Sequence, residues 1–470
     1  MLKPRLAASA VLLCCSAPLG AQSLNDPLLD DLQLPTVLSA TRLKQSPAEV
    51  PGSMTVIDRQ LIRGSGARDV PELMRLVPGM MVGYSAGNLA NVNYHGTNIS
   101  EARRMQVLVD GRSVYRPGLA TVDWTDIPLA IEDIERIEVF RGPNTAAYGA
   151  NALMGVINII STRPELSQGT RVKVTRGTRG VSDLYASQGF TFGSSQARIS
   201  LIGKEDDGFD HVQDGSDYRD GRRLSALNLL GNTDLSPTQA LSWQLGAKEG
   251  TNQQSNDYSV MAEPTDDSYL FDRLMYEQGF PSSDVTARDY FVQLNWKNDL
   301  SPAHRLEIKT YAQHMERLSQ WRACDSPVVF SPELRQLYLA GNVYARRFNY
   351  ILRNRRGYWA DPAFYSDWLV NQDGLPPELL PLVDDLVAQH AAARDSAPAC
   401  FNLNENLRET RYEAEVQNTI QVNDALRTVF GLNLRYDQAK SKTFFNGKVE
   451  NSVGQLFGNL EYRLGERWLL

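Results

Sequence analysis

From Thr162 onward, apolar and polar residues alternate with a period of two in run after run. Leu241, Trp243, Leu245 and Ala247 alternate with Ser242, Gln244, Gly246 and Lys248. Tyr290, Val292, Leu294 and Trp296 stand in the same way against Phe291, Gln293, Asn295 and Lys297, and Phe430, Leu432, Leu434 and Tyr436 against Val429, Gly431, Asn433 and Arg435. This period predicts antiparallel strands with one apolar and one polar face. Complete strands are expected near 170–178, 183–192, 196–204, 222–235, 239–250, 288–300, 303–318, 406–422, 425–438 and 451–464, and a further one begins at Arg467. The connections alternate in length. Short turns fall at 193–195, 236–238, 301–303, 423–424 and 465–466, and long polar loops near 205–221, 251–287 and 319–405. A soluble sandwich has no reason to keep its long loops at one end, whereas a transmembrane barrel pairs tight periplasmic turns with long outer loops. The runs also reach the ~9–11 residues that a tilted strand needs to cross a bilayer.

The pattern before Thr162 is different. Ser53–Asp58 alternates as a strand; Val70, Leu73, Met74 and Val77 follow at helical spacing until Pro78-Gly79 stops the helix. Gly83–Thr97, rich in Gly and Asn, reads as a loop, Gln106–Asp110 as a buried strand, Arg112–Trp124 as a second loop and Ile127–Ile134 as a short helical turn. Arg136–Ser161 then forms strand, turn and strand around Arg141-Gly142-Pro143. Residues 50–161 are thus expected to make one compact α+β domain, long enough for its own core.

Composition narrows the setting. Net charge is −7, with no basic block, so no nucleic-acid partner is expected. Lys3 and Arg5 precede an apolar run from Leu6 to Cys15, and small residues lead to Ala21; residues 1–21 read as a secretory signal peptide. Its removal leaves Cys324 and Cys400, which in an exported chain can form one disulfide. Residues 22–49 form an N-terminal extension. Within it Leu34, Pro35, Thr36, Val37, Leu38, Ser39 and Ala40 make a β-prone heptad able to add an edge strand to a partner's sheet.

Several of these stretches together resemble the TonB-dependent outer-membrane receptors. The helix that ends at Pro78-Gly79, the strand Val107–Gly111 and the segment Ile134–Val139 are similar to plug-domain segments of that family. Its plug signature matches Arg141, Gly142 and Pro143, continued by Tyr148, Gly149, Gly155, Val156 and Asn158. His95-Gly96 stands where the family usually carries Arg-Gly. The resemblance implies an N-terminal α+β plug domain followed by an antiparallel transmembrane β-barrel of about 22 strands. Only about half of those strands are present in residues 162–470, so the sequence reads as C-terminally truncated. Leu34–Ala40 occupies the position of the TonB box. The implied partners are TonB with its ExbB–ExbD energy complex, outer-membrane lipid and a ferric siderophore; the implied state is a monomer in the bacterial outer membrane.

The ligand is expected to meet the plug's outer loops. Candidates are Tyr84, Asn88, Asn91, Asn93, Tyr94 and His95 in the first, with Arg112, Tyr115, Arg116 and Trp124 in the second, because aromatic rings and arginines suit an anionic, ring-bearing chelate. Cobalamin or another metal chelate is the alternative within the same fold; a passive porin or an adhesin-type barrel is the alternative from another class. No nucleophile elbow, zinc helix or phosphate loop points to an enzyme, and neither a cofactor nor a resident metal is expected. Asp206, Asp207, Asp210, Asp214, Asp217 and Asp220 crowd one loop without the spacing of a Ca²⁺ site, so a solvated acidic surface is expected there. The long 319–405 loop, stapled by its cysteine pair and carrying a helix over Pro377–Ala393, could serve as a lid.

Overall fold

The computed structural model describes residues 49–95, 104–209, 219–253, 284–325, 331–341, 374–393 and 399–464, with a few further positions (42, 43, 45, 328, 343–345, 348, 367–372, 468 and 469). The Leu34–Ala40 heptad and the signal peptide lie outside the described residues.

The N-terminal domain is built on a five-stranded sheet. Its strands are β1 (Ser53–Asp58), β4 (Met105–Val109), β5 (Arg112–Ser113), β6 (Ile134–Arg141) and β7 (Gly155–Ser161), in spatial order β1-β6-β7-β4-β5. The β4–β7 pair is parallel and the rest antiparallel. Every side chain of β4 is buried, as expected of a central strand covered on both faces. Ile57, Leu73, Met74, Val107, Ile137, Val139, Ile157 and Ile159 form the centre of the core. One expectation is corrected here. The part of Gly83–Thr97 within the described residues is not a loop: Met80–Ala86 (β2) and Leu89–Tyr94 (β3) pair as a hairpin. Met80, Val82, Tyr84 and Ala86 alternate with more exposed neighbours, and Gly87-Asn88 makes the turn. The period-two signal is present, but the Asn and Gly residues dilute it. Gly79, at φ +80°, lets the chain enter the hairpin; a Cβ there would stand 2.9 Å from the Tyr94 ring.

The second unit is an antiparallel sheet of eleven strands in unbroken neighbour order. They are β8 (Gly169–Arg176), β9 (Ser182–Phe192), β10 (Ser195–Asp206), β11 (Arg222–Ser236), β12 (Gln239–Asn252), β13 (Val285–Ser301), β14 (His304–Leu318), β17 (Leu407–Asn423), β18 (Leu426–Ser441), β19 (Gly447–Leu464) and β20 (Trp468–Leu469). Each expected strand is present within a few residues. The sheet is open, with β8 and β20 at its edges. Its outer face carries Val172, Leu201, Leu245, Leu294, Leu432 and Leu456, all exposed, while the facing positions turn polar groups such as Arg198, Lys248, Gln293 and Arg411 toward the N-terminal domain. Apolar outside and polar inside is the pattern of a membrane barrel and the reverse of a soluble one. Among the described residues no helix is long and apolar enough to cross a membrane.

The described residues of the 319–405 excursion form a folded unit. Strands β15 (Gln320–Asp325) and β16 (Ala399–Asn404) pair as a stalk, with Cys324 opposite Cys400 in the register. Above it, helices Pro332–Ala340 and Leu380–Ala393 pack around Leu337, Phe348, Leu369, Val383 and Leu386.

The plug sheet tolerates little at β7. A Cβ added at Gly155 would clash with the Phe140 carbonyl oxygen on the paired strand. Gly155→Ala is expected to destabilise the domain by about 1–3 kcal/mol, the usual range for overpacking, seen as earlier cleavage of the plug in denaturant-dependent proteolysis of the folded chain.

Candidate functional site

The N-terminal domain sits against the polar face of the large sheet, and charge holds it there. Arg222 of β11 reaches Asp69, just before the Val70–Met74 helix, and also bonds Asp206 at 2.9 Å. Lys204 of β10 bonds Asp69 at 2.7 Å, and Arg68 pairs with Asp183 of β9 at 2.6 Å and with Asp206. A second cluster lies further round the wall. Lys248 of β12, fully buried, pairs with Asp126 of the plug and Asp289 of β13. Arg317 of β14 reaches Asp123 at 2.7 Å, Asp289 at 2.9 Å and Asp126 at 3.1 Å. Arg116 donates to the fully buried Glu409 of β17 at 2.8 Å. A charge taken out of water alone would cost several kcal/mol, so each carries opposite partners.

The electrostatics follow from that packing. Burial alone would raise the Asp69 carboxyl, but Lys204 and Arg222 outweigh it and hold the group well below the ordinary carboxylate range. Burial likewise opposes ionisation of Asp123, and Arg116 and Arg317 overcome it, leaving its pKa lowered. Burial pushes the Arg112 guanidinium down to about 10. It still donates to Gln313 at 2.7 Å and lies 3.7 Å over the Phe291 ring.

This geometry separates the expected ligand contacts into groups. Tyr115 and Trp124 are sealed in the plug core, with the Tyr115 hydroxyl donating to the Met105 carbonyl. That corrects their placement on a ligand-facing loop: their apolar area outweighs their polar tips. Arg112 and Arg116 are spent on the barrel wall. Asn88 docks the hairpin tip by donating to the Gly221 and Gln253 carbonyls at 3.1 and 2.7 Å. Asn93 is buried, while Asn91 donates to Ser85 at 2.6 Å. Tyr84, Tyr94 and His95 remain partly or fully exposed on the hairpin, with the Tyr94 and His95 rings 4.0 Å apart. The two loops therefore do not converge on one surface. Of the crowded aspartates, Asp206 is held by arginines, and Asp220 accepts from the Gly87 and Phe209 amides.

Part of the plug signature has a setting that its letters do not reveal. Tyr148 and Asn158 line a polar cavity of about 760 Å³ between the plug sheet and the wall, toward the short-turn end. Asp110, Gln244, Gln293, Asn295 and Lys309 complete its inner rim. The Oδ1 atoms of Asn158 and Asn295 and the Oε1 of Gln293 are buried without a hydrogen-bond partner. Buried amide oxygens seek partners, so this space suits water or a polar solute. Arg141, Gly142 and Pro143 shape the turn instead, with Arg141 donating to the Pro78 carbonyl at 3.0 Å.

Lys248→Met leaves two carboxylates short of a buried cation and is expected to cost about 3–5 kcal/mol. Arg223→Ala, which removes an exposed pair with Glu205, is expected to cost under about 1 kcal/mol. Equilibrium denaturation of the folded protein compares the two. A lowered carboxyl pKa favours the folded state only while the group is ionised. The contributions of Asp69 and Asp123 are therefore complete above the ordinary aspartate value of about 4 and are lost as pH falls below it, through the depressed folded values. Near-UV circular dichroism along a pH series is expected to stay flat down to that point and to change only below it.

Residues 46–156 match the TonB-dependent receptor plug domain. The vitamin B12 transporter BtuB of Vibrio cholerae is 31% identical over 189 residues, which cover 40% of this chain and 30% of the transporter. BtuB of Vibrio vulnificus is 34% identical over 178 residues, covering 37% of this chain and 28% of that protein. The ferripyoverdine receptor of the outer membrane of Pseudomonas aeruginosa superimposes with a TM-score of 0.57 at 14% identity, covering 92% of this chain and 52% of that receptor. The chain thus spans about half the solved receptor, and its alignments span under a third of the B12 transporters. Residues 46–156 thus carry a TonB-dependent receptor plug domain, and the fold that sets this plug against the polar face of a long-stranded sheet is similar to that of solved outer-membrane receptors.

Proposed function

We propose that this protein takes up a scarce metal chelate across the outer membrane by TonB-driven movement of its plug. The observation that carries the reading is the plug itself: a folded domain fastened into the polar lumen by buried ion pairs. A passive porin keeps its lumen open, and an adhesin has no use for such a domain. An outer membrane holds no ATP, so moving the plug requires energy delivered from elsewhere. The Leu34–Ala40 heptad is the proposed handle, adding as a strand to TonB, which is energised through ExbB–ExbD. The role is transport, with no chemical step.

A ferric siderophore is the first ligand reading, supported by the exposed His95 ring 4.0 Å from the partly buried Tyr94 ring, and by Arg75 6.0 Å from the Tyr84 ring centroid. Cobalamin is the second, supported by the similarity to vitamin B12 transporters. The folded 319–405 excursion is proposed as a cap over the ligand, with its stalk closed by a Cys324–Cys400 disulfide; their facing positions in the β15–β16 register support that pairing.

Deleting residues 34–40 is expected to abolish concentrative uptake and to leave surface binding of the chelate intact; uptake that survives the deletion refutes the TonB reading. Paired growth assays, on ferric chelates as sole iron source and on cobalamin in an auxotroph, decide between the ligands. Alkylation of the unfolded, exported chain is expected to label Cys324 and Cys400 only after reduction, and labelling without reduction removes the disulfide.

A further inference from the structure

The outer wall of the large sheet is charged at one end only. Glu249 of β12, Arg288 of β13, Glu316 of β14 and Arg408 of β17 stand directly opposite one another across successive strands. They pair in sequence, with Arg288 to Glu249 at 2.9 Å, Arg288 to Glu316 at 3.6 Å and Arg408 to Glu316 at 2.8 Å. All lie at the long-loop end of their strands, on the face that carries Tyr290, Leu294 and Leu432. The opposite end of this face carries Phe190, Phe192, Leu235, Leu300 and Val422 instead.

The alternation of sign then breaks. Arg408 faces Lys440 of β18, and Lys440 faces Lys448 of β19. Like charges directly opposite on a sheet repel. Only the flanks of this trio are neutralised, Arg408 by Glu316 and Lys448 by Glu450 at 2.9 Å. Lys440, exposed between them, has no acidic partner among the described residues. Three neighbouring cations at one level of a membrane wall call for an anion from outside the chain.

Toward the membrane interior, the same strands form an apolar groove of about 540 Å³. Ala312, Ala414 and Gly454 make its floor, because small side chains leave the backbone uncovered; Leu294, Leu434 and Tyr412 stand around it. Tyr412 and Tyr436, with rings 6.4 Å apart, separate the groove from the cations. A phosphate-sized anion above and an acyl-chain groove below, joined by tyrosines, together have the shape of a lipid.

We propose that Arg408, Lys440 and Lys448, with the groove floored by Ala312, Ala414 and Gly454, form a binding site for a phosphorylated, acylated lipid of the outer leaflet. The phosphate meets the three cations and an acyl chain lies in the groove. Charge complementarity selects a headgroup with net negative charge over a zwitterionic one, and the groove selects a lipid over a free anion. The proposal rests on the outer-membrane reading, because it places the long-loop end in the outer leaflet.

The test uses the full chain, folded in detergent and titrated with a bis-phosphorylated acylated glucosamine disaccharide while bound lipid is read by native mass spectrometry. Arg408→Gln/Lys440→Gln/Lys448→Gln is expected to weaken binding at least about tenfold, as is removal of the lipid's phosphates. Ala414→Phe, which fills the groove and leaves every charge in place, is expected to do the same. Inorganic phosphate at equal concentration is expected not to compete. Unchanged binding in the triple variant, equal binding of a zwitterionic phospholipid, or full competition by inorganic phosphate overturns the proposal. Heat-modifiable electrophoretic mobility reports whether each variant is folded, and Lys440→Glu alone replaces the triple variant if that one is not. Lipid binding can fail while deletion of residues 34–40 still abolishes uptake, so this failure is distinct from failure of the transport reading.

Discussion

Burying charge without leaving it alone is the constraint on which this structure depends. A membrane barrel turns its polar residues inward, and a domain placed in that lumen strips them of water. Lys248 has no exposed surface, and it is tolerated because Asp126 comes from the plug and Asp289 from the neighbouring strand. Glu409 is equally buried and is answered by Arg116 and by the Gly118 amide at 2.7 Å. Each unit pairs some of its charges internally, and Asp126, Asp69 and Arg116 of the plug complete the rest across the interface. Such pairs add little net stability over an apolar interface, but they penalise misplacement, because a shift of one residue leaves a buried charge unpaired. The plug is thereby held in one register by an interface that stays polar throughout.

The two ends of that interface differ. Toward the long loops the ion pairs are dense and dry. Toward the short turns a cavity of about 760 Å³ opens between plug and wall, where the carboxamides of Gln244, Gln293 and Asn295 stand beside the Arg42–Glu415 and Lys309–Glu415 ion pairs. Asn158 and Tyr148, part of the plug signature, both line this space, Tyr148 while also packing against Phe140 and Val156.

Much of the architecture was legible because its periodicities are strong. The wall strands alternate lipid-facing apolar with lumen-facing polar residues over long spans, and a period of two survives any choice of side chain. The helix before Pro78 and the strands around Arg141–Pro143 carry equally local signals. The β2–β3 hairpin was missed because Gly83, Asn91 and Asn93 argue for a loop one residue at a time, while its pairing is a property of both strands together. The site was harder. Arg116 and Glu409, or Asp69 and Arg222, are far apart in sequence, and nothing local to either announces its partner. Tyr115 and Trp124 have the chemistry of ligand contacts but are buried for their area, a distinction that only tertiary packing makes. The same limit applies to the cation trio on the outer wall, whose three members lie on three strands.

The excursion between β14 and β17 leaves no trace in the wall. Those strands pair continuously from His304 opposite Ile420 to Arg317 opposite Leu407, and the amide of Glu405 meets the Ser319 carbonyl where the stalk leaves the sheet. The inserted module has a core of its own and rejoins the chain where it left. Its size and sequence are therefore uncoupled from the geometry of the wall: one module can be exchanged for another without resetting a single strand register. In evolutionary terms the wall is a fixed frame and the excursion an interchangeable part, so change in the excursion does not draw on the stability of the wall.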